Sequence, residues 1–218
     1  MIGALAVGVI GGTVYWQMNQ GANAGEPLAF AAEASETAAL ADEFGITEMT
    51  MGPSDAAVTI VEYASFTCPH CANFHKNQFK ELKANYIDTG KVHFIYRDVF
   101  FDRPGLWASM VARCGGSERF FGISDMIYNQ QRDWTSGNDA VTISNNLRRI
   151  GKVAGLSEEQ LDACMSDEDK AKALHSWYEA TTAADGVSST PTLVINGQTY
   201  GNMGYAALAE LIDEKLGE

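Results

Sequence analysis

Cysteine is scarce in this chain: four of 218 residues, at Cys68, Cys71, Cys114 and Cys164. Four is too few for a disulfide-stapled miniprotein, and a chain of this length can fold without staples. Positive charge is absent from the front of the molecule. No Lys or Arg occurs before Lys76, whereas residues 1–56 hold seven acids. The remainder carries 21 acids against 15 bases, and the formal net charge is −13. Neither part is basic, so the electrostatic footprint of a nucleic-acid-binding protein is missing and that function class is excluded. Internal repeats are absent too. No apolar run reaches the roughly 20 residues that a membrane-spanning helix needs.

What is present suits a globular protein: 46% of residues are hydrophobic, enough for one domain with an insertion or two small ones. Met1 to Trp16 is uncharged, apolar or small. It is short for a membrane span but suits the apolar core of a secretory signal, and Ala22-Asn23-Ala24 follows at a plausible cleavage distance. Residues 1–24 are therefore read as a signal peptide or an N-terminal anchor; a buried helix is the plainer alternative. Residues 25–52, rich in Ala and Glu, read as a linker or a loosely attached helix over Ala31–Phe44.

Folded structure is expected from about residue 53. Val58–Tyr63 is a β-branched run typical of a buried strand, with Glu62 as its one acid. A helix is predicted from Cys68 to Tyr86, because Ala72, His75, Phe79, Leu82 and Tyr86 recur at helical spacing. Val92–Arg97 reads as a second strand, closing a first segment over 53–103. From 104 to 185 the signals are helix after helix. Pro104 can begin one, Ser117 can cap the next, and Asn138 or Asp139 a third. Ser157 with Gln160 has the capping-box pattern, and Asp167 can cap the last. A block this long exceeds any single crossover and reads as an inserted helical subdomain. Residues 186–218 then return to strand character. Thr192–Ile195 and Gln198–Tyr200 flank Asn196-Gly197, a strong hairpin signal, and an amphipathic helix carrying Tyr205, Leu208, Leu211, Ile212 and Leu216 follows.

Cys68-Pro69-His70-Cys71 stands where the first strand gives way to the helix. Unpaired N–H groups at a helix start stabilise negative sulfur, and the thiolate is the nucleophile and leaving group of disulfide exchange. Pro69 fits the first helical turn. Cys71, one turn on, should be more buried and able to close the disulfide. His70 can add positive charge or a hydrogen bond near Cys68. A bare Cys-x-x-Cys is also half of a zinc site, but zinc needs two more ligands. His75 could be a third, no second Cys pair exists, and a lone helical histidine is ordinarily a surface residue. No metal is expected. A plain structural disulfide is the other alternative.

The segment Val58-Thr59-Ile60-Val61-Glu62-Tyr63-Ala64-Ser65-Phe66-Thr67-Cys68-Pro69-His70-Cys71 closely resembles the active-site segment of the DsbA family of thiol–disulfide oxidoreductases. Gly186-Val187-Ser188-Ser189-Thr190-Pro191-Thr192 resembles that family's second signature. The resemblance covers about residues 50–218 and implies an α/β protein, a thioredoxin-like domain with an inserted α-helical subdomain. It implies catalytic roles for Cys68, Cys71, Pro69, His70 and Glu62, the last as a buried acid relaying a proton to or from Cys71. The plainer reading of Glu62 is an edge-strand acid facing water. The resemblance makes Pro191 a cis proline beside the disulfide, with Thr190 offering its backbone to an extended substrate. The family pattern has valine before this proline; threonine stands here, which leaves the oxidising strength open. Cys114 and Cys164 resemble an extra structural pair in the insert of some relatives; two unconnected thiols are the alternative. The implied activity is disulfide donation to reduced or unfolded exported proteins by a monomer in the periplasm or another extracytoplasmic space. The implied partner is a DsbB-like, quinone-linked membrane oxidase, and no cofactor is needed beyond the redox-active disulfide. A reductase or isomerase, and a peptide-binding chaperone module whose Cys pair is only a staple, are the competing functions.

Overall fold

The computed structural model describes residues 39–137 and 139–217. The proposed signal or anchor over 1–24, the first half of the expected linker, Asn138 and Glu218 lie outside them. Among the described residues, no helix is long and apolar enough to cross a membrane.

The sheet is built from β1 (Met49–Met51), β2 (Val58–Ala64), β3 (Val92–Asp98), β4 (Thr192–Ile195) and β5 (Gln198–Gly201). Their order is β1-β3-β2-β4-β5. Only β2 and β3 run parallel; the other pairings are antiparallel. The central strand β2 is buried on both faces, as the β-branched run Val58–Val61 predicts. The β4–β5 turn is made by Asn196 and Gly197, both at positive φ (46° and 79°). That is the backbone an Asn-Gly hairpin turn requires.

Helices α1 (Pro69–Lys76) and α2 (Gln78–Leu82), with a π-helical turn over Lys83–Ile87, connect β2 to β3. The insertion consists of α3 (Arg103–Cys114), α4 (Ser117–Asn129), α5 (Gln131–Trp134), α6 (Ala140–Val153), α7 (Glu158–Met165) and α8 (Glu168–Ala184), and α9 (Tyr205–Leu216) closes the chain. This is the thioredoxin-like architecture with a helical insertion that the sequence leads one to expect. The largest core cluster joins one sheet face to α1 and to the inserted helices, with Phe66, Phe74, Phe94, Tyr96, Phe120, Tyr128 and Trp134 among its members. On the other face, Val61, Tyr63, Val99 and Val194 pack with Tyr178 of α8 and with Val187.

Three local expectations differ from the structure. The helix from Cys68 to Tyr86 is interrupted at Asn77, whose φ of −118° leaves the helical range. The Asn77 side chain donates to the Asn73 carbonyl at 3.0 Å, so a side-chain bond competes with the helical ladder there. Ser117 does not cap α4. Gly116, at φ 72°, occupies that position, and its carbonyl accepts from Phe120 N at 3.0 Å. The chain between 39 and 52 is docked rather than loose. β1 pairs with β3, and Ala41 and Ile46 are buried against Phe100, Met110, Leu174 and Trp177. Glu48 accepts from Arg97 Nη2 at 2.7 Å, while Arg97 Nη1 reaches the Tyr63 hydroxyl at 2.8 Å and Asp185 at 3.2 Å. A buried guanidinium needs such partners. Sparse apolar residues hid this segment from periodicity, because its order comes from tertiary contacts.

The other caps follow the sequence. Asp139 and Asp167 accept from Thr142 N and Lys170 N, and Ser157 with Gln160 forms the full capping box. Cys114, at the end of α3, is disulfide-bonded to Cys164 of α7 with a Cα–Cα distance of 5.8 Å.

Candidate active site

Cys68 is the N-cap of α1, in an extended backbone conformation (φ −77°, ψ 120°), and Pro69 opens the helix behind it. The Cys68 carbonyl accepts the first helical bond, from Ala72 N at 3.1 Å, and Cys68 N donates to Ser65 O at 3.1 Å. Gln131, buried at the start of α5, donates its side-chain amide to Phe66 O at 2.8 Å and Cys68 O at 2.9 Å. The insertion thus reaches across and satisfies two carbonyls of the active-site turn. Cys68 and Cys71 are free thiols here, and both are buried. Pro69 and His70 between them are exposed.

The peptide bond Thr190-Pro191 is cis, and this loop lies against Cys68. As a thiol, Cys68 donates to the Thr190 carbonyl, with sulfur and oxygen 3.6 Å apart. As a thiolate it accepts instead. The Cys71 thiol gives the largest stabilisation, burial opposes it, and the Thr190 side chain and the backbone N–H groups of Cys71 and His70 add to it. The result holds the Cys68 thiol at about 5, against 9.0 for an ordinary cysteine. The contribution from His70 is a hydrogen bond from its backbone N–H. Cys71 goes the other way: burial first, then its hydrogen bond to Cys68 and the charge of Glu62, push its thiol far above the ordinary range. Two thiols one turn apart are therefore chemically opposite.

Beneath Cys71, Glu62 is fully buried, 0% exposed, rather than facing water. Its carboxyl oxygens lie 2.9 and 3.1 Å from His75 Nε2. His75 is also buried, contrary to the surface position expected for a lone helical histidine, and stacks on Tyr128 with ring centroids 4.2 Å apart. Sequence reasoning missed His75 and Gln131 as parts of the site. For His75 a signal existed: it was the one residue able to carry positive charge in the stripe Ala72, His75, Phe79, Leu82 and Tyr86. Gln131 had none, since only tertiary packing brings it to Cys68.

A cleft of about 510 Å³ opens beside the cysteine turn, lined by Thr67, Pro69, Asp102, Gln131, Arg132 and Ile143 among others. Among the described residues, no cluster of His, Cys, Asp or Glu is placed to hold a metal ion. Removing the Thr190 hydroxyl should weaken the thiolate without disturbing the fold. Thr190→Val is expected to raise the Cys68 titration midpoint by about one unit, since a hydrogen bond to a charged group is worth about 1.5–3 kcal/mol. Iodoacetamide alkylation rates against pH measure it.

A dithiol at a strand–helix junction, faced by a cis proline and backed by a buried carboxylate, defines a thioredoxin-type redox site. The family model described as Thioredoxin matches residues 45–214, and the chain belongs to that family. Its structural neighbours include DsbA proteins. The crystal structure of Wolbachia pipientis alpha-DsbA1 matches with a TM-score of 0.72 at 26% identity, over 78% of this chain and 92% of that one. A Rickettsia bellii protein, assigned by name to the protein-disulfide oxidoreductases, is 33% identical over 172 residues. The match covers 78% of this chain but 65% of that relative's length. Disulfide bond formation protein D of Bacillus subtilis is 23% identical, with 76% of each chain covered.

Proposed function

We propose that this chain is a thiol–disulfide oxidoreductase of the DsbA kind, which donates the Cys68–Cys71 disulfide to reduced proteins outside the cytoplasm. One observation carries this reading: Cys68, alone of the pair, is held at about 5. At pH 7 its thiolate outweighs its thiol by about 100 to 1. Stabilising that thiolate stabilises the reduced enzyme, so the disulfide form is the oxidant.

The steps follow from the geometry. A substrate thiolate attacks Cys68 Sγ, forming a substrate–Cys68 disulfide and releasing Cys71, which takes up a proton. A second substrate thiolate attacks the substrate sulfur and expels Cys68, the better leaving group of the pair. The substrate leaves oxidised by two electrons, and Cys68 and Cys71 remain reduced. Thr190, next to Pro191, offers its backbone to the extended substrate segment, and the neighbouring cleft accommodates adjoining side chains. Pro69 fixes the turn, Glu62 serves the Cys71 proton, and the Cys114–Cys164 bridge joins two helices of the insert. Reduced or unfolded exported proteins are the substrates, and a DsbB-like, quinone-linked membrane oxidase restores the disulfide. The location is periplasmic or otherwise extracytoplasmic, where such chemistry persists. No cofactor beyond the dithiol takes part.

The same thiolate makes stability depend on pH. The folded value lies below the unfolded one, so the stabilisation of the reduced form is complete above about pH 9 and lost as pH falls through about 5. The reduced protein is therefore expected to melt above the oxidised protein at pH 8, with the gap closing toward pH 5; paired thermal melts check this. The function itself is tested by equilibrating the protein with glutathione and following oxidation of a reduced test protein. A reduction potential above about −180 mV with rapid oxidation supports donation; one near about −270 mV identifies a reductase instead.

A further inference from the structure

Glu62, which serves the Cys71 proton in the reaction proposed above, is paired with His75, and among the described residues the two form a buried ionisable pair beneath the cysteines. Glu62 sits on β2 with 0% exposure, and His75 on α1 with 4%. His75 Nε2 meets both carboxyl oxygens, at 2.9 and 3.1 Å. His75 lies four residues after Cys71, so the two share one face of α1, and Cys71 is itself fully buried. The ring is fixed from several elements: Phe74 on α1, Phe79 on α2, Tyr96 on β3 and Tyr128 on α4 pack around it. Among the described residues, the polar partner of this constrained histidine is the Glu62 carboxyl group.

We propose that His75 is a positioning residue for the exchange reaction, orienting the Glu62 carboxyl beneath Cys71 and passing the Cys71 proton through it. The inference rests on the disulfide exchange proposed above. When substrate attacks Cys68, the sulfur–sulfur bond breaks, Cys71 receives the electron pair, and a proton moves to it from the pair. When the bond re-forms, Cys71 attacks the Cys68 sulfur of a mixed disulfide, the partner leaves as a thiolate, and the Cys71 proton goes to the pair. A buried cysteine cannot exchange that proton directly with water. The other ionisable groups facing the pair do not substitute for it. The Tyr96 and Tyr128 hydroxyls are bonded to each other at 2.7 Å, and burial keeps both neutral. Asp98, whose charge acts on Tyr96, is itself bonded to Arg113 at 2.7 Å.

The test follows closure of the mixed disulfide that oxidised glutathione forms with Cys68, by rapid quench and mass measurement between pH 5 and 8. In the unaltered protein the closure rate should flatten across this range; a rate rising tenfold per pH unit throughout would mean hydroxide removes the proton and would overturn the proposal. His75→Gln keeps a donor for Glu62 but cannot carry a proton, and should slow closure at least about tenfold. The Cys68 alkylation profile should stay unchanged. His75→Phe keeps the ring packing and should be slowed at least as much. Closure by His75→Gln at the unaltered rate, or an equal shift in its Cys68 profile, contradicts the inference while leaving the enzyme reading intact. Failure of the unaltered protein to form the Cys68–Cys71 disulfide at all removes both.

Discussion

Cys68→Ser should abolish oxidation of reduced test proteins while leaving the fold in place. Serine matches the size of the thiol at a position where backbone bonds do the structural work: Cys68 N to Ser65 O, and Cys68 O to Ala72 N and Gln131. It supplies no sulfur to be attacked, and an alcohol of ordinary acidity takes no part in disulfide exchange. The remaining Cys71 is too buried and too reluctant to ionise to replace it. Expected activity is the uncatalysed background, measured by the rate at which a reduced, unfolded protein regains its disulfides in glutathione-free buffer. The same experiment separates catalysis from peptide binding. A chaperone module whose cysteines are a staple would keep its activity in the variant, and that result would remove the enzyme reading.

Cys71→Ala should have two large effects, one on acidity and one on kinetics. The Cys71 thiol is the foremost support of the Cys68 thiolate. Its loss should move the Cys68 midpoint up by more than a unit. The variant can still attack a substrate disulfide: Cys68 thiolate joins one sulfur and the other leaves as a thiolate. The mixed disulfide then has no neighbour to expel it. Intramolecular thiols act at effective concentrations far above those of thiols in solution, so the trapped species should persist roughly 10³-fold longer. Non-reducing electrophoresis after incubation with a disulfide-containing protein shows the adduct directly. An adduct equally long-lived in the unaltered chain would mean that Cys71 does not resolve it.

Much of the fold was legible because its signals are local. The β-branched run of β2, the capping box at Ser157, the Asn196-Gly197 turn and the helical periodicities each follow from a few neighbouring residues. The cysteine pair and the Thr190-Pro191 element were equally plain, since a short motif carries each. What escaped depends on distant contacts. β1 is three residues long and exists because β3 offers an edge and Arg97 draws in Glu48. Gln131 becomes part of the active site only when the insertion folds back over the turn. His75 was mistaken for a surface residue, because a single histidine on a helix carries no sign of what its face will meet. Its burial becomes intelligible once Glu62 is known to point into the same layer, where each group satisfies the other.

The decisive measurement is the pH dependence of alkylation at Cys68 in the reduced protein, with Cys71 identified separately by mass. A negative sulfur held by its neighbours predicts a midpoint near 5 and rapid, pH-independent modification from 7 upward. A midpoint between about 8 and 9, the range of an unassisted thiol, would contradict the account at its root.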